Sequence, residues 1–253
     1  MTKQRVLVTA GAGGIGRAIV EAFMANGAEV FVCDIDTDGL AKLEADFPGV
    51  HTTRCDISSP TDIEQMVALA TRVLGGLDVL VNNAGIAGPT APVDQLDPAE
   101  WAKVVQINLN GTFNVTHLAI PFLKRSSAGS IINMSSVSGR FGYPNRSAYS
   151  TTKWGLIGFT KTLSIELGGF NIRVNAILPG AVDGPRFQKV LEGRAQVSGK
   201  SIEEETAEAL GSQSIKHLVN PRHIANLAVF IASESGQSIS GQLLPIDCDM
   251  QHC

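Results

Sequence analysis

The sequence predicts an α/β fold built on a doubly wound parallel sheet. Strands and helices alternate along the whole chain, a glycine-rich turn follows the first strand, and polar or turn-forming residues follow most later strands. This alternation indicates βαβ units, whose right-handed crossovers place parallel strands in one sheet with helices on both faces. The length of 253 residues and the absence of a linker-like stretch favour a single domain over 1–253.

Seven short apolar segments have the length and composition of buried strands. They are Arg5–Thr9, Glu29–Cys33, Val50–Arg54, Leu77–Val81, Ser130–Met134, Arg173–Leu178 and Gln242–Ile246.

The helices between these strands are predicted from apolar spacing and from capping residues. The first carries apolar residues three and four positions apart, namely Ile15, Ala18, Ile19, Ala22 and Phe23. Ser59 caps the third helix, and Pro60 takes its first position. The others lie around Leu40 and Leu43, from Asp97–Pro98 towards Lys124, over Tyr149–Leu167 and over Pro221–Ala232. The region 182–216 is polar and less regular, with one helix near 202–210.

Composition and charge exclude several classes of protein. A net charge of −4 lacks the basic footprint of a nucleic-acid binder. No apolar run approaches the roughly 20 residues of a membrane helix, and Val6–Val8 is too short for a signal-peptide core. The four cysteines form no CxxC motif, so no metal site is expected. We therefore expect a cytoplasmic protein with reduced cysteines and with neither nucleic-acid nor membrane partners.

The turn after the first strand, Thr9–Gly16, is rich in glycine and leads into a helix. Glycines at such a turn let the backbone approach a pyrophosphate, which the helix N-terminus attracts. An ordinary tight strand–helix turn is the alternative. The phosphate-binding interpretation makes the domain Rossmann-type, with its ligand at the carboxyl ends of the strands.

Carboxylates follow the second and third strands. Asp34 comes 18 residues after Gly16, where a carboxylate can accept hydrogen bonds from ribose hydroxyls. It would repel a 2′-phosphate, so it favours NAD over NADP. The alternative is a helix cap, for which Asp36 and Asp38 compete. Asp56 suits either an adenine amine or a turn cap.

The later strands end in small, polar or turn-forming residues. These are Asn82–Asn83–Ala84–Gly85, Ser135–Ser136 and Pro179–Gly180. Because the carboxyl ends of parallel strands share one edge of a sheet, these residues are expected to converge on the ligand site.

Tyr149 and Lys153 lie four residues apart at the start of a predicted helix and therefore share one face. A nearby ammonium group lowers the pKa of a phenol, which suits Tyr149 to general acid–base work. Ser136 lies 13 residues upstream, where its hydroxyl can bond a substrate oxygen. The alternative is that all three are ordinary surface residues.

Together these residues resemble the short-chain dehydrogenase/reductase (SDR) family over nearly the whole chain. The matching positions are Gly14–Ile15–Gly16, Asp56, Asn82–Asn83–Ala84–Gly85, Asn108 within Gln106–Leu109, Ser136, Tyr149 with Lys153, and Pro179–Gly180.

The resemblance implies a role for each matching residue. Tyr149 would be the catalytic acid–base, and Lys153 would hold the nicotinamide ribose and lower the pKa of the tyrosine. Ser136 would polarise the substrate oxygen, and Asn108 would hold a water in a proton relay. The cofactor contacts would be Gly11, Gly13, Gly14, Ile15, Gly16, Asp34, Ile35, Asp56, Ile57, Asn82, Asn83, Ala84, Gly85, Tyr149, Lys153, Pro179, Gly180 and Val182. The family also implies a homotetramer or homodimer.

The chain departs from the family pattern at three positions. Ala10 follows Thr9 where glycine is usual, Gly184 stands where a threonine often contacts the nicotinamide amide, and Cys248 replaces a common glycine. We expect Ala10 to weaken cofactor binding at most. With Gly184, the contact to the nicotinamide amide is expected to come from the backbone, from Asp183 or from water.

Substrate choice is expected to reside in 87–96, in 137–147 and in a lid near 183–215. Arg140, Arg146 and Arg186 flank the site and suit either a carboxylate clamp or solvated surface positions.

Three functions stay open. The favoured one is hydride transfer between NAD and a secondary alcohol or ketone, such as a polyol, sugar, hydroxy acid or cyclic diol. The alternatives are an NADPH-dependent 3-oxoacyl thioester reductase and a nucleotide-sensing protein without catalysis.

Overall fold

A computed structural model describes residues 3–252 and shows a seven-stranded parallel sheet. The strand order is β3-β2-β1-β4-β5-β6-β7. The strands are β1 Arg5–Thr9, β2 Glu29–Asp34, β3 His51–Arg54, β4 Val79–Asn82, β5 Ser130–Met134, β6 Arg173–Pro179 and β7 Leu243–Ile246. The predicted sheet is confirmed, and each strand begins and ends within two residues of its predicted bounds.

Helices cover both faces of the sheet. They are α1 Gly14–Ala25, α2 Thr37–Asp46, α3 Pro60–Val73, α4 Pro98–Val105, α5 Thr112–Leu123, α6 Ser147–Gly168, α7 Pro185–Ser198, α8 Ile202–Gly211 and α9 Pro221–Ala232. Side chains alternate along β1: Val6 and Val8 pack with α1, α2 and α9, whereas Leu7 packs with α3, α5 and the end of α6. Two apolar cores therefore enclose the sheet, as a doubly wound fold requires.

The predicted cap of α3 also forms. Ser59 accepts a hydrogen bond from the backbone N–H of Asp62 and begins α3, with Pro60 at its first position. Asn26 caps the C-terminus of α1. Local chemistry thus fixes where these helices begin and end.

Two helical predictions were incomplete. The stretch from Pro98 towards Lys124 is not one regular helix, because a π-helical segment over Gln106–Gly111 separates α4 from α5. The region 182–216, predicted as irregular with one helix, contains both α7 and α8. Leu191 is the one fully buried residue of α7, so the apolar periodicity that identifies a helix is nearly absent there.

The strand order reverses between β1 and β4, because β1 is followed by β2 on one side and β4 by β5 on the other. Doubly wound sheets bind ligands in the crevice outside the carboxyl ends of the strands at such a switch point. None of the helices within residues 3–252 has the length and hydropathy to cross a bilayer.

Candidate active site

A cleft of about 900 Å³ crosses the carboxyl edge of the sheet. Its volume is typical of pockets for small molecules and cofactors. The predicted site residues on its wall are Gly13, Gly14, Ile15, Gly16, Asp34, Asn83, Gly85, Ser136, Tyr149, Lys153, Pro179, Gly180 and Val182. The cleft is thus bounded by the β1–α1 turn at one end and by Tyr149 at the other.

Close packing shapes the glycine-rich turn. A Cβ atom on Gly16 would lie 2.1 Å from the main-chain oxygen of Ala10 and 2.6 Å from Nδ2 of Asn83. Asn83 Nδ2 donates to the main-chain oxygens of Thr9 and Ala10, at 3.1 and 2.9 Å. Only glycine fits where these three segments meet, so the turn is held rigidly at the switch point.

The N-terminus of α1 opens onto the cleft beside this turn. Its first turn has no acidic residue, and no side chain of the described residues caps it. Cβ atoms on Gly13 and Gly14 would meet no atom within 4 Å. The helix therefore presents backbone N–H groups and open space, which is the arrangement that binds a phosphate.

Asp34 lies half-buried at the end of β2. Its Oδ2 accepts from the N–H of Ala12 at 3.0 Å, and its Oδ1 accepts from the N–H of Asp36 at 3.1 Å. Asp36, rather than Asp34, caps α2 by accepting from the N–H of Gly39. The carboxylate of Asp34 is thus fixed at the cleft wall, where it can still accept bonds from hydroxyl groups.

Three predicted residues near β3 lie off the cleft wall. Asp56 closes a turn, since its Oδ1 accepts from both the N–H and the hydroxyl of Ser58. The side chain of Ile35 is exposed to solvent, and that of Ile57 is buried in the apolar core. Contact of these residues with a cofactor stays a prediction.

Three other predicted residues do not line the cleft but pack against or hydrogen-bond to neighbouring segments. A Cβ atom on Gly11 would lie 2.6 Å from a methyl group of Val32. Asn82 is buried, and its Nδ2 donates to Thr116 and Asn133. Ala84 is buried as well, and its N–H donates to the hydroxyl of Thr9 at 3.0 Å.

Lys153 is buried beneath Tyr149. Its Nζ donates to the main-chain oxygen of Met134 at 2.7 Å and lies 5.5 Å from the centre of the Tyr149 ring. Burial lowers the pKa of Lys153 to about 8, although the negative charge of an ionised Tyr149 acts in the opposite direction.

Tyr149 has a lowered pKa. Burial acts to raise it, but the positive charges of Lys153, Arg186 and Arg146 act against burial. A hydrogen bond with Ser136 lowers the pKa further. The phenolate is therefore more accessible near neutral pH than in an isolated tyrosine, as a general acid–base requires.

Ser136 is positioned by the end of β5. Its Oγ accepts from the N–H of Ser138 at 3.1 Å, which orients the side chain. A hydroxyl can accept and donate at once, so Ser136 can still donate to Tyr149 or to a substrate oxygen.

Asn108 lies in the π-helical segment and is completely buried. Its Oδ1 accepts from the N–H of Ile86, and its Nδ2 donates to the main-chain oxygen of Ile86 and to Thr152 Oγ1. Both amide protons are therefore already engaged. A Cβ atom on Gly85 would lie 3.1 Å from Asn108 Oδ1 and 3.6 Å from Lys153 Nζ. Asn108 is thus close to Lys153, while its predicted water relay stays a prediction.

All three residues that depart from the family pattern have a positive φ. Ala10 has a φ of +52° and Cys248 a φ of +58°, both in the region that favours glycine. Gly184 has a φ of +142°, where a threonine would be strained. A threonine in place of Gly184 would therefore require a different backbone at the start of α7.

The cleft also contains residues that the sequence analysis missed or left undecided. Arg146 is buried at the wall and Arg186 lines it, whereas Arg140 does not. Arg194 of α7 was missed because α7 itself was not predicted. Apolar cover comes from Tyr143, Phe187, Val190 and Met250.

Comparison with known proteins agrees with this arrangement. A model of the short chain dehydrogenase family matches residues 4–195. The chain is 35% identical over 245 residues to the 3-oxoacyl-[acyl-carrier-protein] reductase FabG of Thermotoga maritima, with 95% of each chain covered. It is 36% identical over 246 residues to the D-beta-hydroxybutyrate dehydrogenase of Cupriavidus necator, again with 95% of each covered.

Solved structures agree as well. The crystal structure of levodione reductase superimposes with a TM-score of 0.92 at 30% identity, covering 98% of this chain and 97% of that one. NAD+-bound xylitol dehydrogenase gives a TM-score of 0.92 at 29% identity, covering 96% and 97%. An actinorhodin polyketide ketoreductase with NADPH gives 0.91 at 32% identity, covering 97% and 96%. The chain belongs to the short-chain dehydrogenase family and is an oxidoreductase with a nicotinamide cofactor.

Proposed function

We propose that the protein transfers hydride between NAD and a secondary alcohol or ketone. One observation carries this proposal. Tyr149, Lys153 and Ser136 lie together at one end of a cleft, and Asp34 and the N-terminus of α1 lie at its other end. One end suits proton transfer and the other suits a dinucleotide.

The cofactor end fits a nucleotide with free ribose hydroxyls. Asp34 offers a fixed carboxylate, which attracts hydroxyl donors and repels a 2′-phosphate. Arg17, the nearest basic residue in sequence to the turn, is ion-paired with Glu21 and Asp46 at 3.1 and 2.6 Å. Its charge is therefore already balanced, which supports NAD over NADP.

The cofactor contacts that we propose are the predicted residues on the cleft wall. They are Gly13, Gly14, Ile15, Gly16, Asp34, Asn83, Gly85, Tyr149, Lys153, Pro179, Gly180 and Val182.

The chain's own residues handle the proton and the substrate oxygen. NAD, when bound, supplies the acceptor for the hydride that leaves the carbinol carbon. Tyr149 accepts the hydroxyl proton on its phenolate oxygen, and Ser136 donates a hydrogen bond to the same substrate oxygen. Lys153 keeps a positive charge beside the ring and favours the phenolate. In the reverse direction Tyr149 returns the proton to the oxygen of the ketone.

Two further properties are part of this proposal. Helices α7 and α8 act as a lid, since Phe187 and Val190 of the first and Ala209 of the second line the cleft. The protein also forms a homodimer or homotetramer through the surface of α5 and α6. That surface exposes Phe113, Trp154 and Ile165, and exposed apolar patches of this kind mark subunit contacts.

Two alternatives remain for comparison. The similarity to a 3-oxoacyl-[acyl-carrier-protein] reductase favours an NADPH-dependent thioester reductase, whereas Asp34 argues against NADPH. A nucleotide sensor without catalysis is disfavoured because Asn108, Ser136, Tyr149 and Lys153 are all present.

A panel of secondary alcohols, assayed with NAD and with NADP, tests the proposal. The native protein should oxidise at least one with NAD, and Tyr149→Phe should lower the rate by about 10²–10⁴-fold because the general base is lost. Calorimetry should show that the variant still binds NADH, which separates lost chemistry from lost folding. Undiminished turnover by Tyr149→Phe would contradict the mechanism.

A further inference from the structure

We propose that the substrate carries an anionic group, held by Arg186 in the positive field of Arg146, so that the protein is a dehydrogenase of short hydroxy acids. This inference rests on the proposed function, because it names the substrate class of the same site.

Arg146 is a buried cation without a carboxylate partner. It is 3% exposed, and within residues 3–252 no Asp or Glu oxygen lies within 4.0 Å of its guanidinium. Its Nη1 donates to Thr90 Oγ1 at 3.2 Å and its Nη2 to the main-chain oxygen of Ala87 at 2.9 Å. Its Nε is buried without a hydrogen-bond partner among these residues. A buried charge with only neutral partners is costly unless an anion arrives to balance it.

Arg186 brings a second guanidinium to the same place. It lies in the first turn of α7, and its Nη1 donates to the main-chain oxygen of Gly85 at 3.0 Å. It likewise has no ion pair in the described part of the chain. A guanidinium has five N–H donors in a planar fork, so most of those on Arg186 stay available for a ligand.

Both guanidiniums border the phenol that we propose as the acid–base. The Cζ atoms of Arg146 and Arg186 lie 5.2 and 5.9 Å from the centre of the Tyr149 ring. An anion on Arg186 would therefore be only a few bonds away from a hydroxyl group that reaches Tyr149. This short separation favours a short carbon chain between the anionic group and the hydroxyl, and the charge of Arg186 favours an acid over a neutral alcohol.

Arg194 shows the contrasting arrangement in the same cleft. Its Cζ lies 5.5 Å from the Tyr143 ring, but its Nε forms an ion pair at 3.1 Å with Glu205, which is 3% exposed. The fold thus supplies a carboxylate for one of these three arginines and leaves Arg146 and Arg186 unbalanced. A substrate carboxylate or another oxyanion would complete the site, and Arg forks bind carboxylates through two parallel bonds.

The reaction then balances as one hydroxy acid and one NAD giving one oxo acid, one NADH and one proton. The C–H bond of the carbinol carbon breaks as hydride leaves, and the O–H proton goes to Tyr149. The anionic group is unchanged, since its function is to orient the hydroxyl towards Tyr149 and Ser136.

The test compares 3-hydroxybutyrate, 2-hydroxybutyrate and an aldonate with the amide of each acid. We expect kcat/KM to be higher for the acids, and Arg186→Gln to lower it for them by about 10- to 100-fold, as expected for a lost charge-assisted bond. For the amides, Arg186→Gln should lower kcat/KM far less. Arg140→Gln is the matched control, because Arg140 lies outside the cleft wall and should leave the preference for acids intact.

Two results would overturn the inference. One is that the amides are oxidised with the same kcat/KM as the acids, and the other is that Arg186→Gln lowers kcat/KM equally for both. Calorimetric titration of Arg186→Gln with NADH distinguishes a third case. If the variant loses affinity for NADH together with kcat/KM for the acids, Arg186 binds the cofactor instead of the substrate. A phosphorylated or sulfonated alcohol preferred over every carboxylate would overturn the assignment to hydroxy acids.

If no alcohol in the panel is oxidised, the proposed function fails but the anion site can still be decided. Calorimetry would then compare butyrate with butyramide on the NAD-saturated protein. Binding of butyrate that Arg186→Gln abolishes would support the inference. Equal binding of both ligands, or of neither, would contradict it.

Discussion

The Nζ atom of Lys153 lies 5.5 Å from the centre of the Tyr149 ring while it donates to the main-chain oxygen of Met134. The ammonium group is therefore fixed by the end of β5 and does not depend on a bound ligand for its position. The fixed, buried ammonium group lowers the pKa of the Tyr149 phenol. Burial in turn lowers the pKa of Lys153 itself to about 8.

Lys153→Met should raise the pKa of Tyr149, because the cation nearest the phenol is removed. The midpoint at which oxidation accelerates with pH should therefore move to higher pH, and the rate at neutral pH should fall. Initial rates measured across pH on the native protein and the variant test this. An unchanged midpoint would show that Lys153 does not control the phenol.

The titration of Lys153 should make the stability of the native protein rise with pH, and Lys153→Met should remove this dependence. Lys153 has a folded pKa of about 8 and an ordinary value of 10.5, so its charged form is disfavoured in the fold by about 3 kcal/mol. The unfolded chain binds more protons between these values, so native stability should rise as pH increases from about 8 to 10.5. Urea unfolding of both proteins at pH 7 and 9.5 tests this, because the native protein should gain more stability than Lys153→Met as the pH rises between the two.

Ala10→Gly should raise stability slightly. Ala10 has a φ of +52°, a conformation that costs a residue with a Cβ atom about 1–2 kcal/mol. Part of this gain is offset because glycine loses more conformational entropy on folding. We expect a net increase of about 0.5–1 kcal/mol in the free energy of unfolding, seen as a higher urea midpoint with an unchanged slope.

Ala12→Gly is the control for that measurement. Ala12 is buried and packs in the core without a positive φ, so the change should lower stability. Equal effects of the two substitutions would contradict the assignment of strain to Ala10.

Asn108→Ala should lower the free energy of unfolding by about 2–4 kcal/mol. It removes the partner of the N–H and of the main-chain oxygen of Ile86, and one of the two partners of Thr152 Oγ1, which still donates to the main-chain oxygen of Tyr149. Each buried group that is left unsatisfied costs about 1–3 kcal/mol. Thr152→Val removes only one of these bonds and should cost less. A stability equal to that of the native protein would show that Asn108 is not a structural link.

The sequence predicted the strands and the meeting of Ser136, Tyr149 and Lys153 in one cleft because local signals identify them. Apolar runs mark the strands, and the residues at their ends share one edge through the topology of a parallel sheet. The four-residue spacing of Tyr149 and Lys153 needs only one helix, which formed over Ser147–Gly168.

Helix α7 and the arginines of the cleft were harder to predict. Helix α7 has little apolar periodicity, since Leu191 is its one buried residue. The pairing of Arg194 with Glu205 joins two helices and leaves no local pattern. The burial of Arg146 likewise depends on 87–90, more than 50 residues away in sequence.

Calorimetric titration of the native protein and of Asp34→Asn with NADH and NADPH tests the central claim most directly. On the proposed function, the native protein should bind NADH much more tightly than NADPH, because Asp34 would accept bonds from the ribose hydroxyls and repel a 2′-phosphate. Asp34→Asn keeps the shape of the side chain and removes its charge. This variant should bind NADH less tightly, and the difference in affinity between NADH and NADPH should become smaller. Tighter binding of NADPH by the native protein would contradict the account.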